Sequence, residues 1–337
     1  IAGNNQPLYS NIKDYIPDLK AAEFNIISKQ SLEKNSAQHA DCFTTVSEIT
    51  NLECEAFLGK NVDVVTPNGF EDSFVPTADK FDQARLQARK KLIEVASALT
   101  DSKINDDVLL IANSGRYEFR NKGIDLFIDS LGEINKSGHL NKEVVAFILI
   151  PANHYGPRRD LANKLKGQEY EHCDECILTH NLHYPEHDSI LKRIKANGLT
   201  PSETNKVKVI FVPSYLNGDD GIFNMSYYQL LIGFDLTVFP SYYEPWGYTP
   251  LESIAFKVPT ITTSLAGFGL WIKQLSMSSE NAVTVIERTD INDAEVTHQI
   301  AGQILKFSNL NAEQVENARN LSFEMSRTAL WKNLVSY

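Results

Sequence analysis

Six short apolar runs mark the chain from residue 108 onward, and amphipathic stretches lie between and after them. The runs occupy 108–112, 144–150, 207–212, 236–239, 260–263 and 282–286. The amphipathic stretches lie at 122–134, 188–196, 225–232, 249–256 and 290–307. A strand buried on both faces reads as a continuous apolar run, whereas a helix shows apolar residues every three or four positions. Their alternation predicts an α/β, doubly wound, Rossmann-like domain: a parallel sheet with helices on both faces. Such sheets bind ligands beyond the carboxyl ends of their strands. The loops at 113–122 and 240–249 each follow a predicted strand, so the chemistry is expected there.

Upstream, 31–40 reads as a helix and 41–46 as a short strand. Ser47 has the side chain of an N-cap for a helix running to Leu58, with Gly59 as its stop. A second strand, 62–65, ends at the turn Pro67-Asn68-Gly69. Residues 80–99 read as a helix, and two more helices, 312–325 and 326–335, end the chain. Three units are expected: 1–75, 76–310 and 311–337. No internal repeat is visible.

The most informative run is Phe239-Pro-Ser-Tyr-Tyr-Glu-Pro-Trp-Gly-Tyr-Thr-Pro-Leu-Glu252. It reads as a strand end, an aromatic loop and a helix start, with Pro250 in the first helical turn where proline is tolerated. The free N–H groups of Tyr248, Thr249 and their neighbours point at an anion, assisted by the helix dipole. Glu252 lies near that helix end, where a carboxylate can accept two ribose hydroxyls. Glu244 precedes the turn, where a carboxylate can stabilise positive charge developing at an anomeric carbon. An isolated pair of glutamates eight apart would read as surface loop and helix; this aromatic, proline- and glycine-bearing setting favours a site.

The second element is Ser114-Gly-Arg-Tyr-Glu-Phe-Arg-Asn-Lys-Gly123, directly after the first strand of the domain. Gly115 permits a tight turn. Arg116 and Lys122 offer a planar fork and a point charge to a departing phosphate. Loop cations are usually just solvated; Arg120 is read that way. Tyr227 either stacks on a flat ligand or packs in the core, and the residues alone leave both open. The run 264–269, Ser-Leu-Ala-Gly-Phe-Gly, reads as backbone shaping, since two close glycines alone are weak evidence. Cys173 and Cys176, with His172, His180, His183 and His187 nearby, lack the second cysteine pair and the histidine spacing of a zinc site. No metal site is assigned.

The net charge of -11 argues against a nucleic-acid binder or a partner of anionic membranes. No apolar run is long enough to span a bilayer. Four cysteines are too few for a disulfide framework in 337 residues, so free thiols in a reducing cytoplasm are expected.

These strings closely resemble those of glycogen synthases of the animal and fungal type, which are retaining glucosyltransferases of the GT-B fold. The similarity extends over FTTVSEIT (43–50), VVTPNGF (64–70), SGRYEFRNKG, THNL (179–182), KVIFVP, the 239–252 run and SLAGFG. The resemblance implies transfer of glucose from UDP-glucose to the 4-hydroxyl of an α-1,4-glucan, with no metal or other cofactor. It implies Glu244, Arg116 and Lys122 as catalytic, and Tyr227, Trp246, Gly247, Tyr248, Thr249 and Glu252 as donor-binding. Tyr227 would stack on the base, and Trp246 and Gly247 would border the sugar. It also makes 1–75 the tail of an acceptor-side domain, so a piece of a longer enzyme is expected. Segment 157–180 is short where eukaryotic members carry a tetramer-forming insertion, and their arginine-rich C-terminal regulatory helix has no counterpart. Those gaps point to a bacterial member without control by glucose 6-phosphate, a homo-oligomer at most. The choice between UDP and ADP stays open. So do a sucrose- or trehalose-forming transferase and a donor-binding half without turnover.

Overall fold

The computed structural model describes residues 7–169, 177–202, 205–277 and 280–335. The N-terminal segment forms α1 (Pro17–Glu23), α2 (Ile27–His39), β1 (Thr44–Thr45), α3 (Glu48–Leu58) and β2 (Val64–Val65). Then follow α4 (Ala78–Thr100), β3 (Leu109–Ser114), α5 (Ile124–Ser137), β4 (Val144–Leu149), β5 (His154–Pro157), α6 (Arg159–Leu165), β6 (His180–Leu182) and α7 (Ser189–Ala196). Next come β7 (Val207–Val212), α8 (Tyr227–Leu231), β8 (Leu236–Val238), α9 (Tyr248–Ala255), β9 (Thr260–Thr263), α10 (Gly267–Gln274) and β10 (Val283–Ile286). The chain closes with α11 (Asp293–Ser308), α12 (Ala312–Thr328) and α13 (Trp331–Leu334).

All six expected strands join one sheet, in the order β10-β9-β8-β3-β4-β7, and every pairing is parallel. Successive side chains of a strand face opposite ways. Leu109 and Ile111 therefore enter one core with α5, α7 and α11, while Leu110 and Ala112 enter another with α4 and α8. The strand order reverses between β3 and β8. That switch point opens a crevice beyond their carboxyl ends, and the loops leaving β3 and β8 are the two singled out from the sequence.

Two contacts hold the crevice walls in register. Gly123 has φ 64°, and a Cβ there would lie 1.9 Å from the carbonyl oxygen of Pro240. Only glycine lets the two loops approach so closely. Beside it, the N–H groups of Tyr242 and Tyr243 both donate to the Asn121 carbonyl, at 2.8 and 3.2 Å. At the opposite end of β8, Asp235 accepts from Arg85, Arg89 and the Leu110 N–H, each bond between 2.7 and 2.9 Å. That buried carboxylate fastens α4 to the two switch-point strands.

Several expectations are corrected. The strand at 41–46 reduces to Thr44–Thr45, because only two residues find ladder partners on β2. The N-terminal helix runs over Ile27–His39 and is preceded by α1. The break between the last two helices falls at Ala329–Leu330 rather than at Ser326, whose hydroxyl stays helical and donates to the Phe323 carbonyl. The run 264–269 opens α10 instead of ending as loop. Its glycines hide the helix from propensity, yet they are required by packing: a Cβ on Gly267 would meet the Pro245 carbonyl at 2.2 Å and one on Gly269 the Thr263 carbonyl at 2.2 Å. The expected N-cap Ser47 and stop Gly59 stand as read, Gly59 in the left-handed region at φ 70°. Cys173, Cys176 and His172 lie outside the described residues. Among the described residues no three His, Cys, Asp or Glu side chains gather as metal ligands, and no helix is long and apolar enough to cross a membrane.

Candidate active site

Glu244 sits at the tip of the loop leaving β8, and its neighbours fix it. Its carbonyl accepts from the Gly267 N–H at 3.1 Å, and the Trp246 carbonyl accepts from the Phe268 N–H at 2.7 Å. The N-cap hydroxyl of Ser47 donates to the Pro245 carbonyl at 2.6 Å. The Glu244 carboxylate forms an ion pair with Lys122, which ends the loop leaving β3. Both side chains are mostly covered, 14% exposed for Lys122 and 17% for Glu244. The switch point thus juxtaposes one carboxylate and one ammonium from loops far apart in sequence.

Two cavities open at these loops. One, of about 570 Å³, lies beyond β3 and β4 and is lined by Ser114, Gly115, Arg116, Leu149, Pro151, Tyr215, Tyr227 and Thr249 among others. The other, of about 440 Å³, lies between α1–α3 and the two loops; Glu244, Arg116, Glu53 and Tyr243 line it. Arg116 belongs to both. Its guanidinium is 78% exposed and pairs with Glu118 at 2.9 Å, a contact that a stronger anion can displace.

Helix α9 begins at Tyr248 with Gly247 as N-cap at φ 112°, and no side chain caps its first N–H groups. Those donors are open to an anion. Thr249 carries that helix start to the wall of the larger cavity, and Tyr248 stands 46% exposed beside it. Tyr227 reaches the same cavity, and its hydroxyl shares a 2.8 Å hydrogen bond with Ser114. Burial, with the Glu252 charge second, raises the phenol's pKa, so Tyr227 stays neutral. It packs against the α4/α8 core, as one of the two readings has it, and it also lines the cavity.

Glu252, one turn into α9, accepts from the Tyr228 hydroxyl at 2.8 Å. Burial raises its pKa and that hydrogen bond opposes the rise. Tyr228 is itself stacked on Phe74 and Phe256, with ring centroids at 4.7 and 5.6 Å. Spacing does not single out Tyr228 or Lys122 as partners of the two glutamates, because their placement depends on packing. Trp246 corrects an expectation. Its indole is 3% exposed and packs beside Phe268 and Trp271 in the α9/α10 core. Its side chain is a core group, and only its backbone belongs to the loop.

A family model for glycogen synthase matches residues 1–171 and 170–337. Glycogen [starch] synthase isoform 1 of Saccharomyces cerevisiae is 28% identical over 400 aligned positions, covering 99% of this chain and 56% of the relative. The human liver glycogen [starch] synthase is 27% identical, with 99% and 55% covered. The chain therefore spans about half the length of the curated relatives it matches. Among solved structures, WaaG, a glycosyltransferase of lipopolysaccharide biosynthesis, gives a TM-score of 0.55 at 14% identity, covering 98% of this chain and 72% of that one. Anabaena HepE in complex with UDP and glucose gives 0.52 at 14% identity, with 92% and 64% covered. These likenesses establish a GT-B-type fold. Matched along its whole length by one family model, and by curated relatives from yeast and human, the chain belongs to the glycogen synthase family.

Proposed function

We propose that this chain carries the donor half of a retaining glucosyltransferase that moves glucose from UDP-glucose to the non-reducing 4-hydroxyl of an α-1,4-glucan. The observation that carries the reading is the Lys122–Glu244 pair at the switch point, with the open helix start at Gly247 and two cavities at the same loops. In this reading the nucleotide occupies the larger cavity, with its base against Tyr227 and its ribose hydroxyls toward Glu252. The diphosphate meets the N–H groups at Tyr248 and Thr249, with Gly247 allowing its close approach. The glucose lies toward Glu244 and the smaller cavity, where the acceptor enters.

As the bond from the anomeric carbon to phosphate oxygen breaks, the electron pair leaves with UDP. Arg116 and Lys122 neutralise the charge growing on that phosphate, and Glu244 stabilises the positive charge left on the sugar. The acceptor hydroxyl attacks from the face the phosphate leaves, which keeps the configuration, and its proton passes to a phosphate oxygen. These steps call on no metal. The same reading places the enzyme in a reducing, cytoplasmic setting.

Calorimetric titration with UDP and with ADP, beside the Arg116→Ala variant, tests the donor assignment. UDP binding weakened by the variant is expected. Binding of neither nucleotide overturns it. A parallel assay of label transfer from UDP-glucose to glucan, maltose, fructose and glucose 6-phosphate separates the glucan product from sucrose- or trehalose-type products.

A further inference from the structure

Both chain neighbours of Glu244 are fastened to one helix of the N-terminal segment. On the C-terminal side, Pro245 accepts from Ser47, the N-cap of α3. On the N-terminal side, the Tyr243 hydroxyl donates to Glu53 Oε2 at 3.3 Å, in the second turn of the same helix. The other carboxylate oxygen of Glu53 accepts from the Tyr9 hydroxyl at 2.9 Å. Glu53 is thus a carboxylate with both oxygens engaged by phenols, set at the wall of the smaller cavity that Glu244 also lines. The phenol rings pack with Leu8, Ile12 and Phe57. Nothing in the chemistry at the switch point uses Glu53, Tyr9 or Ser47.

We infer that Glu53 and Ser47 are positioning residues that clamp the catalytic loop from α3, so that the N-terminal segment sets where the Glu244 carboxylate stands. Two fixed points, one on each side of Glu244, leave the peptide between them little freedom to rotate. They add side-chain ties to α3 to the backbone bonds that join the loop to Asn121 and α10. Pre-organisation of this kind acts on the rate, because a carboxylate aimed at a developing charge must already be in place when the charge appears. The inference rests on the proposed role of Glu244 for its kinetic consequence, but not for the clamp itself.

The test is amide exchange over 239–247 in the wild-type chain and in Glu53→Ala, Glu53→Gln and Tyr243→Phe. The Tyr242 and Tyr243 N–H groups, both bonded to Asn121, report the loop. Glu53→Ala should speed their exchange by about tenfold while β4 amides stay unchanged, since local opening is independent of global unfolding. Gln keeps an acceptor for one phenol and a donor for the other, so it should restore protection to within about twofold. Tyr243→Phe removes only one hydroxyl and covers the case in which Glu53→Ala does not fold. In the full-length enzyme, Glu53→Ala should lower kcat by about tenfold with UDP affinity within about twofold, and Gln should recover most of the loss. Unchanged loop exchange overturns the clamp, as does acceleration spread equally over β4. A Gln variant as impaired as Ala overturns it too, since that would place Glu53 on the substrate. If the wild type transfers no glucose, the functional reading fails while the exchange result still decides the clamp.

Discussion

Lys122 and Glu244 lie 122 positions apart and meet as an ion pair where the order of the parallel strands reverses. Each comes from the first loop beyond a switch-point strand, and the approach of those loops depends on Gly123. The pair is a resting arrangement of two groups that would face opposite charges in the proposed reaction, Lys122 a phosphate and Glu244 a sugar cation. Glu244→Gln keeps the shape and removes the charge. In the full-length enzyme it should reduce glucosyl transfer by about a thousandfold, while UDP affinity stays within a few-fold. Rapid-quench transfer and nucleotide titration read the two quantities separately.

Breaking the pair from its other end has a different signature. Lys122→Met leaves a mostly covered carboxylate without its partner, and removing one member of such a pair costs about 3–5 kcal/mol when fully buried. With 14% and 17% residual exposure, the lower end of that range is expected in chemical denaturation. The double variant Lys122→Met/Glu244→Gln should regain most of the stability and none of the transfer activity. Equal stability of the single and double variants would show that the pair is not coupled.

The strands were legible because burial on both faces leaves an unmistakable apolar run, as in Val144–Leu149. The site loops were legible for a related reason: ligand loops follow strands, and both chosen loops do. Strand order was not legible. Nothing local in Leu236–Val238 states that it pairs with Leu109–Ser114 rather than with Val207–Val212, so the switch point emerged only in three dimensions. Trp246 shows the limit for single residues. The resemblance implied a place beside the sugar, yet Phe268 and Trp271, on a helix hidden by its glycines, supply a core for its side chain. Glu53 carried no signal at all, because its partners Tyr9 and Tyr243 are 44 and 190 positions away.

Gly123→Ala tests the loop contact directly. The position has φ 64° and a built Cβ falls 1.9 Å from the Pro240 carbonyl. The backbone strain costs about 1 kcal/mol by itself, and the steric clash must move one loop. A loss of several kcal/mol in stability is expected, together with weaker UDP binding, because both cavity walls hang from this contact. Gly138→Ala is the control: it has φ 69° and open space around it, so only the strain is felt.

Asp125 gives a pH signature of opposite sign to most carboxylates. It opens α5, is 8% exposed, and accepts from the Leu126 N–H at 3.0 Å. Burial pushes its pKa up to about 6, with the Leu126 bond and the Arg288 charge opposing. The folded state therefore holds the proton more tightly than the unfolded state, whose value is about 3.9. Stability from this group is complete below about pH 4 and is lost as pH rises through about 6. Asp125→Asn removes the ionisation and should stabilise the chain by up to about 3 kcal/mol at pH 8, with little effect at pH 4. Thermal melts at the two pH values decide it.

Asp235 behaves the other way, and the difference lies in its partners. Burial alone would raise its pKa, but Arg89 and Arg85, with the Leu110 N–H, bring it below the usual carboxylate range. The folded state thus favours the charged form, so its contribution is present above the unfolded value of about 3.9 and is lost as pH falls through the lower folded value. Asp235→Ala leaves two covered guanidinium groups facing each other and the Leu110 N–H without its acceptor. A loss of about 3–5 kcal/mol at pH 7 is expected, felt first where α4 leaves β8. The gap between wild type and variant should narrow below about pH 4, once the wild-type carboxylate begins to protonate. Denaturation at pH 7 and pH 3 measures both terms. A gap that stayed constant across the two would mean that shape, not charge, makes Asp235 hold the helix to the sheet.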